Sequence, residues 1–288
     1  MDFSKEVTTE LLWFFEGFTS YYDNLFLRRA KLVDNQEYAK LLSADFKAVL
    51  ETNACTVQTL SQASFDAWIK FYKPNANTPN TSVSYYKQGA LAALVLDASL
   101  RLKTNGRKSL DDVMRWLWRH YKAQGKNYSG ETSDSISAAF SSVADESFDA
   151  LLTALTRSTE RFDYESVVGS LGLALEETPR DKIRSLLGLS GKGSEAGFTV
   201  QTVFDQEAGQ WAGISSGDLL IAVDGIRVKN NNLNQLLSRY AEGDEMVIHA
   251  FRDDALLVWA ILIGKEYTVK STVSLEHPTE LGNAWLAS

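Results

Sequence analysis

The sequence of 288 residues holds a single cysteine, Cys55, so no intrachain disulfide can form and thiolate-rich zinc sites are excluded. Cys55 itself reads as a small buried hydrophobe. Histidine is nearly as scarce: His120, His249 and His277 are the only three, and none pairs with another at helical spacing. Each reads as a surface or helix-terminal cation rather than a metal ligand. Long apolar runs are missing as well. Runs such as Ala90–Leu96 are far too short to cross a bilayer, so no membrane span is expected. Dense lysine and arginine runs are also lacking, and a formal charge of -8 with a pI near 5.1 would repel a phosphate backbone. Nucleic acid is not expected as a partner. The opening residues have no basic start, apolar stretch or small-residue cleavage site, so they are no signal peptide and read as a helix entered mid-domain. The compartment stays open, with the cytoplasm as the default.

What remains is the composition of an ordinary globular protein, 44% hydrophobic and 23% charged, long enough for two domains that each bury a core. From Glu6 to Val33 the apolar positions Leu11, Leu12, Phe15, Phe18, Tyr22, Leu25 and Phe26 recur at helical spacing. Asp34, with Glu37 three residues on, is a capping-box pattern that starts a second helix running to about Leu50. The stretch Thr52–Pro79 carries aromatic residues and then breakers, including Pro74 and Pro79, and reads as a loop. Ser84–Thr104 is apolar nearly all round and reads as a helix buried on most sides. Ser109 caps the next helix, with Asp111 and Asp112 in its first turn. A further helix is expected to run to about Thr156.

After Phe198 the period changes from helical to alternating. Short apolar runs over 198–204, 218–225, 226–228, 246–251 and 256–263 are separated by Gly, Asp and Asn, and read as β-strands with one helix from about Asn231 to Tyr240. Gly213 and Gly217 supply positive backbone angles, and Asp224-Gly225 makes a tight hairpin turn. This A-G-x-x-x-G-D stretch before a strand ending in D-G resembles the PDZ family over residues 183–268. The resemblance implies an extended peptide added to a sheet edge, with Leu187, Gly188 and Leu189 at the carboxylate turn and Leu233 and Leu237 on the groove wall. Leu186 stands where the family's turn usually has its first glycine.

Glu16 lies mid-helix in the segment WFFEGFTSYY, among aromatic neighbours. If buried, its carboxylate must be paired, protonated or bound to metal, while an exposed or salt-bridged glutamate is the ordinary alternative. The segment resembles the helix carrying the glutamate zinc ligand in gluzincin metallopeptidases, above all the M61 glycyl aminopeptidase family. SFDAWIKFYKP, SVSYYKQGALAALVLD and a PDZ-type domain then follow in that family's order. The resemblance implies a mainly α-helical catalytic subdomain over 1–158, a connector over 159–182, the PDZ-like domain over 183–268 and a tail over 269–288. It makes Glu16 the metal ligand and Tyr86, with Tyr85 as a substitute, the donor to the oxyanion, although Gln88 stands where the related M1 enzymes usually have lysine. Asp66 and Trp68 would line the substrate cleft, and Gly17 would let a ligand or backbone approach closely. The two histidine ligands of the family's His-Glu-x-x-His helix are not in this sequence. The expected function is therefore a fragment of a zinc aminopeptidase for small N-terminal residues, inactive alone and holding no zinc. Its partners would be peptide or protein substrates, a peptide on the PDZ-like domain, and further copies of itself through apolar surface. The alternative is a non-enzymatic peptide-binding module on a helical scaffold.

Overall fold

A computed structural model describes residues 6–178, 180–264 and 268–287. Residues 1–5, on which the reading of an absent signal peptide partly rests, lie outside the described residues. So do residue 179 of the expected connector, 265–267 of the PDZ-like region and residue 288. The chain divides into a helical unit (Met1–Lys73, Ser82–Glu176, Ser271–Ser288) and a sheet-rich unit (Pro74–Thr81, Glu177–Lys270).

The helical unit opens with α1 (Leu12–Arg29), which buries Trp13, Phe14, Gly17, Phe18, Tyr21 and Leu25. The expected apolar face is thus rotated: Phe15 and Phe26 remain 46% and 55% exposed. Glycine decides this, because the side of α1 that carries Gly17 is the one another helix can approach most closely. Helix α2 (Asn35–Leu50) begins at the expected capping box, Asp34 accepting from the Glu37 amide at 2.8 Å and Glu37 from the Asp34 amide at 3.0 Å. The expected loop contains a short helix, α3 (Leu60–Phe65), capped the same way by Thr59 and Gln62, and a one-turn helix, α4 (Thr78–Thr81), that belongs to the sheet-rich unit. Helix α5 (Lys87–Lys103) is the centre of the helical core: every residue from Gln88 to Arg101 is buried, as its all-round apolar sequence requires.

Helix α6 (Leu110–Gln124) starts at Ser109, whose capping partner is Asp112. The single helix expected next is two, α7 (Ser133–Ala144) and α8 (Asp149–Thr156), because Asp145 takes a left-handed φ of 60° that ends the first. The short α9 (Glu165–Val168) follows.

Strand β1 (Ala174–Thr178) pairs with β8 (Val269–Ser274) in a two-stranded sheet. Between them the sheet-rich unit comprises β2 (Leu189–Gly193), β3 (Phe198–Val203), α10 (Ala208–Ala212), β4 (Leu219–Val223), β5 (Ile226–Arg227), α11 (Leu233–Leu237), β6 (Glu245–Arg252) and β7 (Ala255–Leu262). The sheet runs in the order β2-β3-β4-β6-β7, with β5 paired to β4. Along β3 the burial alternates, Phe198, Val200 and Thr202 facing in, as a half-buried strand demands. Helix α11 is shorter than expected because Asn230 and Asn231 adopt positive φ and delay its start. The aspartate of the glycine-rich pattern has a structural job. Asp218 is 1% exposed, accepts from the Ser215 amide at 2.7 Å and takes a two-pronged bond from Arg252 at 2.8 and 2.9 Å.

The expected hairpin turn forms at Asp224-Gly225, with φ of 45° and 74°. Asp224 accepts from the Tyr240 hydroxyl at 2.6 Å and the Val247 amide at 2.7 Å, and these bonds hold its carboxyl below the usual carboxylate range. A carboxyl depressed on folding stabilises above its unfolded pKa, and that stabilisation disappears as pH falls through the folded value. Acid unfolding of Asp224→Asn, followed by circular dichroism, should therefore show a shallower loss below about pH 4 than the parent. An unchanged profile would assign the acid sensitivity elsewhere.

The segment 269–288, expected as a tail, is no tail. Ser271–Ser288 is part of the helical unit, where α12 (Glu280–Ala287) buries Trp285 completely.

Candidate active site

Two helices bring the candidate residues together. A Cβ added to Gly17 would lie 2.5 Å from the Gly89 Cα, and one added to Gly89 would lie 2.7 Å from the Trp13 carbonyl oxygen. Helices α1 and α5 therefore touch backbone to backbone, and any larger side chain at either glycine forces them apart. Gly17, expected to let a ligand or a backbone approach closely, admits the backbone of α5. Gly17→Ala should cost about 1–3 kcal/mol, read as a lower urea midpoint with unchanged slope. A neutral result would mean that the helices separate freely at this point.

The contact places Glu16, next to Gly17, close to the start of α5, where Tyr85 and Tyr86 lie. Glu16 is half-buried and, among the described residues, makes no hydrogen bond or ion pair. Its charge nevertheless reaches Tyr86, whose phenol is raised above its ordinary pKa by burial, by hydrogen bonding with Tyr72 and by Glu16. Tyr85 is 1% exposed and donates its hydroxyl to that of Tyr72 at 3.1 Å, and burial followed by the bond to Tyr72 raises its pKa too. The rings of Tyr85 and Tyr86 lie 4.7 Å apart, with Phe71 4.8 Å from the first and 5.7 Å from the second. Both phenols thus keep their protons at neutral pH and remain hydrogen-bond donors.

Of the expected cleft residues, Trp68 is exposed, packs its ring 5.4 Å from Tyr72 and donates Nε1 to the Val7 carbonyl at 3.2 Å. Asp66 accepts from Gln58 at 3.1 Å and pairs with Lys70 at 2.9 Å, so its carboxylate is committed locally. Tyr72 was not singled out from the sequence. The available signal was the crowding of Trp68, Phe71 and Tyr72 into a segment read as a loop, where aromatic residues need a surface to pack on. Elsewhere on α1, a cavity of about 780 Å³ is lined by Phe14, Phe15, Phe18, Tyr22, Phe26 and Met114, among others.

Among the described residues, no group of three metal-ligating side chains comes together. His120 stacks on Trp116 at 5.0 Å, His249 sits on β6 and His277 in the turn before α12. The described residues therefore do not by themselves complete a zinc site.

In the sheet-rich unit, the five residues expected at a peptide groove are all buried: Leu187 at 0%, Leu189 at 1%, Leu233 at 0%, Leu237 at 0%, and Gly188 with them. Gly188 has the left-handed φ of 65° expected of a turn glycine, but its N–H donates to the Arg184 carbonyl at 3.2 Å rather than pointing free. The Glu207 side chain covers it, so that a Cβ at 188 would lie 2.2 Å from Glu207 Cβ. The turn is tied to α11 by the Ile183 amide, which donates to Asn234 Oδ1 at 3.0 Å. In this conformation Leu187, Leu189, Leu233 and Leu237 are part of the unit's hydrophobic core.

Over 99% of its length the chain superposes on an aminopeptidase N family protein from Idiomarina loihiensis, with a TM-score of 0.89 at 31% sequence identity, and it spans 50% of that protein. The fold is thus that of part of an aminopeptidase, about half the length of its solved relative. Residues 1–92 match the family described as M61 glycyl aminopeptidase. Smaller likenesses cover 34% of this chain and 91% of the HtrA3 PDZ domain bound to a phage-derived ligand, and 28% of this chain and 29% of the HtrA-type protease AlgW with decapeptide, each at 17% identity with a TM-score of 0.25. No curated protein sequence matches. Among the described residues no helix is long and apolar enough to cross a membrane.

Proposed function

We propose that the intact protein is a zinc-dependent aminopeptidase acting on peptides with small N-terminal residues, and that this chain supplies one metal-ligating carboxylate, Glu16, and the oxyanion donor, Tyr86. One observation carries the reading: the Gly17–Gly89 crossing holds the glutamate helix against the start of α5, and the charge of Glu16 is among the causes that raise the Tyr86 phenol. A lone carboxylate does not hold catalytic zinc, which takes three protein ligands, so no step is assigned to the metal here. What the chain's own residues do is clearer. Tyr86, protonated at neutral pH, donates a hydrogen bond to the oxyanion that forms when water adds to a peptide carbonyl. Tyr85 and Tyr72 hold each other's hydroxyls, and Phe71 packs against the rings of both Tyr85 and Tyr86, so that the donor is aimed before substrate arrives.

This chain with added zinc should leave glycyl and alanyl anilides intact, and turnover would overturn the view of an incomplete site. In the intact protein, Tyr86→Phe should lower kcat by about 10²–10³-fold while zinc content is unchanged. Glu16→Gln should lower zinc content itself, and a fully zinc-loaded Glu16→Gln enzyme would remove Glu16 from the metal.

The second reading, a PDZ-type domain that binds peptides by strand addition, has one observation in its favour: among the described residues β2 is the terminal strand of its sheet, with β3 as its neighbour. Titration with a library of C-terminal peptides tests it. Uniform failure to bind would leave this unit a structural brace.

A further inference from the structure

Strand β7 departs from the pattern of its own sheet. On β3 the outward positions Thr199 and Gln201 are polar, as the wetted face of an antiparallel sheet requires. From Ala255 to Ile263, by contrast, every residue is hydrophobic. Pairing with β6 sorts these residues into faces: Val247 stands opposite Ala260, His249 opposite Val258 and Phe251 opposite Leu256. That face meets solvent, since Val247, Phe251, Leu256, Val258 and Leu262 are 36–64% exposed.

A strand that ends a sheet also presents unpaired backbone groups, and natural edges are protected by shortness, charge, proline or a bulge. Among the described residues β2 and β7 end the sheet's order. Strand β2 has such protection: it is five residues long, its register shifts between Ser190 and Gly191, and Lys192 is exposed on it. Strand β7 has none. It is eight residues long, runs in unbroken register with β6, and carries neither charge nor proline. Arg252 and Ala255 close the two-residue turn Asp253-Asp254 and form a hydrogen-bonded pair, so the N–H and C=O groups of Leu256, Val258, Ala260 and Leu262 point away from β6.

We propose that β7 is an interface between two copies of this chain, paired antiparallel about a two-fold axis at Trp259 so that two sheets become one. The chemistry of the strand selects a second copy. Self-pairing sets Leu256 opposite Leu262 of the partner subunit and Val258 opposite Ala260 of the partner subunit. This register keeps outward side chains against outward side chains, because directly opposed residues share a face. The two-fold also leaves the acidic Asp253-Asp254 turns at opposite ends of the joined sheet, whereas parallel pairing would set them side by side. A charged partner strand would find no counter-charge between Ala255 and Leu262. The interface lies on the edge opposite β2, so it is independent of the peptide-binding reading and of any catalytic role.

The test is sedimentation velocity of the whole chain over a range of concentrations, which should show a monomer–dimer equilibrium. Val258→Lys should weaken dimerisation about tenfold by bringing two like charges to the centre of the edge. Its circular dichroism should match the parent, because Val258 is an exposed side chain. Val247→Lys, on the same face but one strand in from the edge, should leave the dimer intact. Leu256→Lys and Leu262→Glu should each weaken association alone, and an equimolar mixture of the two should dimerise, since the introduced charges then face each other. That rescue requires both chains to be folded, so it separates a specific interface from a general loosening. A chain that stays monomeric at every concentration would overturn the proposal. So would a dimer that survives Val258→Lys, a dimer lost in Val247→Lys, which would point to packing on the face of the sheet, or a mixture that fails to associate.

Discussion

Asp97→Ala should remove about 3–5 kcal/mol of stability, the cost of breaking a buried ion pair by deleting one partner. Asp97 is 1% exposed and collects three donors: Arg101 Nε at 3.0 Å, the Tyr21 hydroxyl at 2.7 Å and the Leu110 amide at 2.8 Å. Each donor belongs to a different element or connection, Tyr21 on α1, Arg101 on α5 itself and Leu110 at the first turn of α6. Deletion would leave the Arg101 guanidinium, 2% exposed, without this carboxylate, the Tyr21 hydroxyl without its acceptor, and the buried Leu110 amide at the start of α6 without its acceptor. Urea unfolding monitored by far-UV circular dichroism would show the loss as a lower midpoint. A change below about 1 kcal/mol would mean that surrounding groups or water take over the role of Asp97.

Trp285→Ala should cost about 3–5 kcal/mol, since a fully buried tryptophan leaves a cavity as well as lost burial. Its indole Nε1 donates to the Tyr21 hydroxyl at 2.7 Å, its ring lies 5.5 Å from that of Tyr38, and its carbonyl accepts from Arg29 Nε at 3.2 Å. Trp285→Phe keeps most of the ring and loses only the N–H donor, so it should cost roughly half as much or less. Equal losses for the two substitutions would assign the whole effect to the hydrogen bond, contrary to expectation. Because both Trp285 and Asp97 act on Tyr21, their effects should not add. A double-mutant cycle should return an interaction of about 0.5–3 kcal/mol, and strict additivity would deny that α12 and α5 communicate through that phenol.

The helices with strong local signals were legible in advance. The capping box at Asp34, the cap at Ser109 and the all-apolar run of α5 each state in a few residues where a helix starts or how deeply it lies. The strand runs after Phe198 and the Asp224-Gly225 turn were legible for the same reason, since period and turn geometry are local properties. The buried side of α1 was not, because Phe15 and Phe26 are as apolar as Phe14 and Phe18, and only the partner helix distinguishes them. Nor was α12: a short segment such as ELGNAWLA has no stable helix of its own and acquires one only by packing Trp285 against Tyr21 and Tyr38.

The same division holds for the candidate site. Residue types and order along the chain were enough to single out Glu16, Tyr85 and Tyr86 and to point to the aminopeptidase family that the first 92 residues match. Tyr72 and the Gly17–Gly89 crossing entered only with the folded chain, as did the burial of Leu187, Leu189, Leu233 and Leu237 in a region read as a groove. Hydrophobic period, caps and turns act between residues a few positions apart, so they are written in the sequence. Which face of a helix is covered, which hydroxyl meets which, and whether a groove stands open depend on contacts between distant segments, and those are settled only when the whole chain packs.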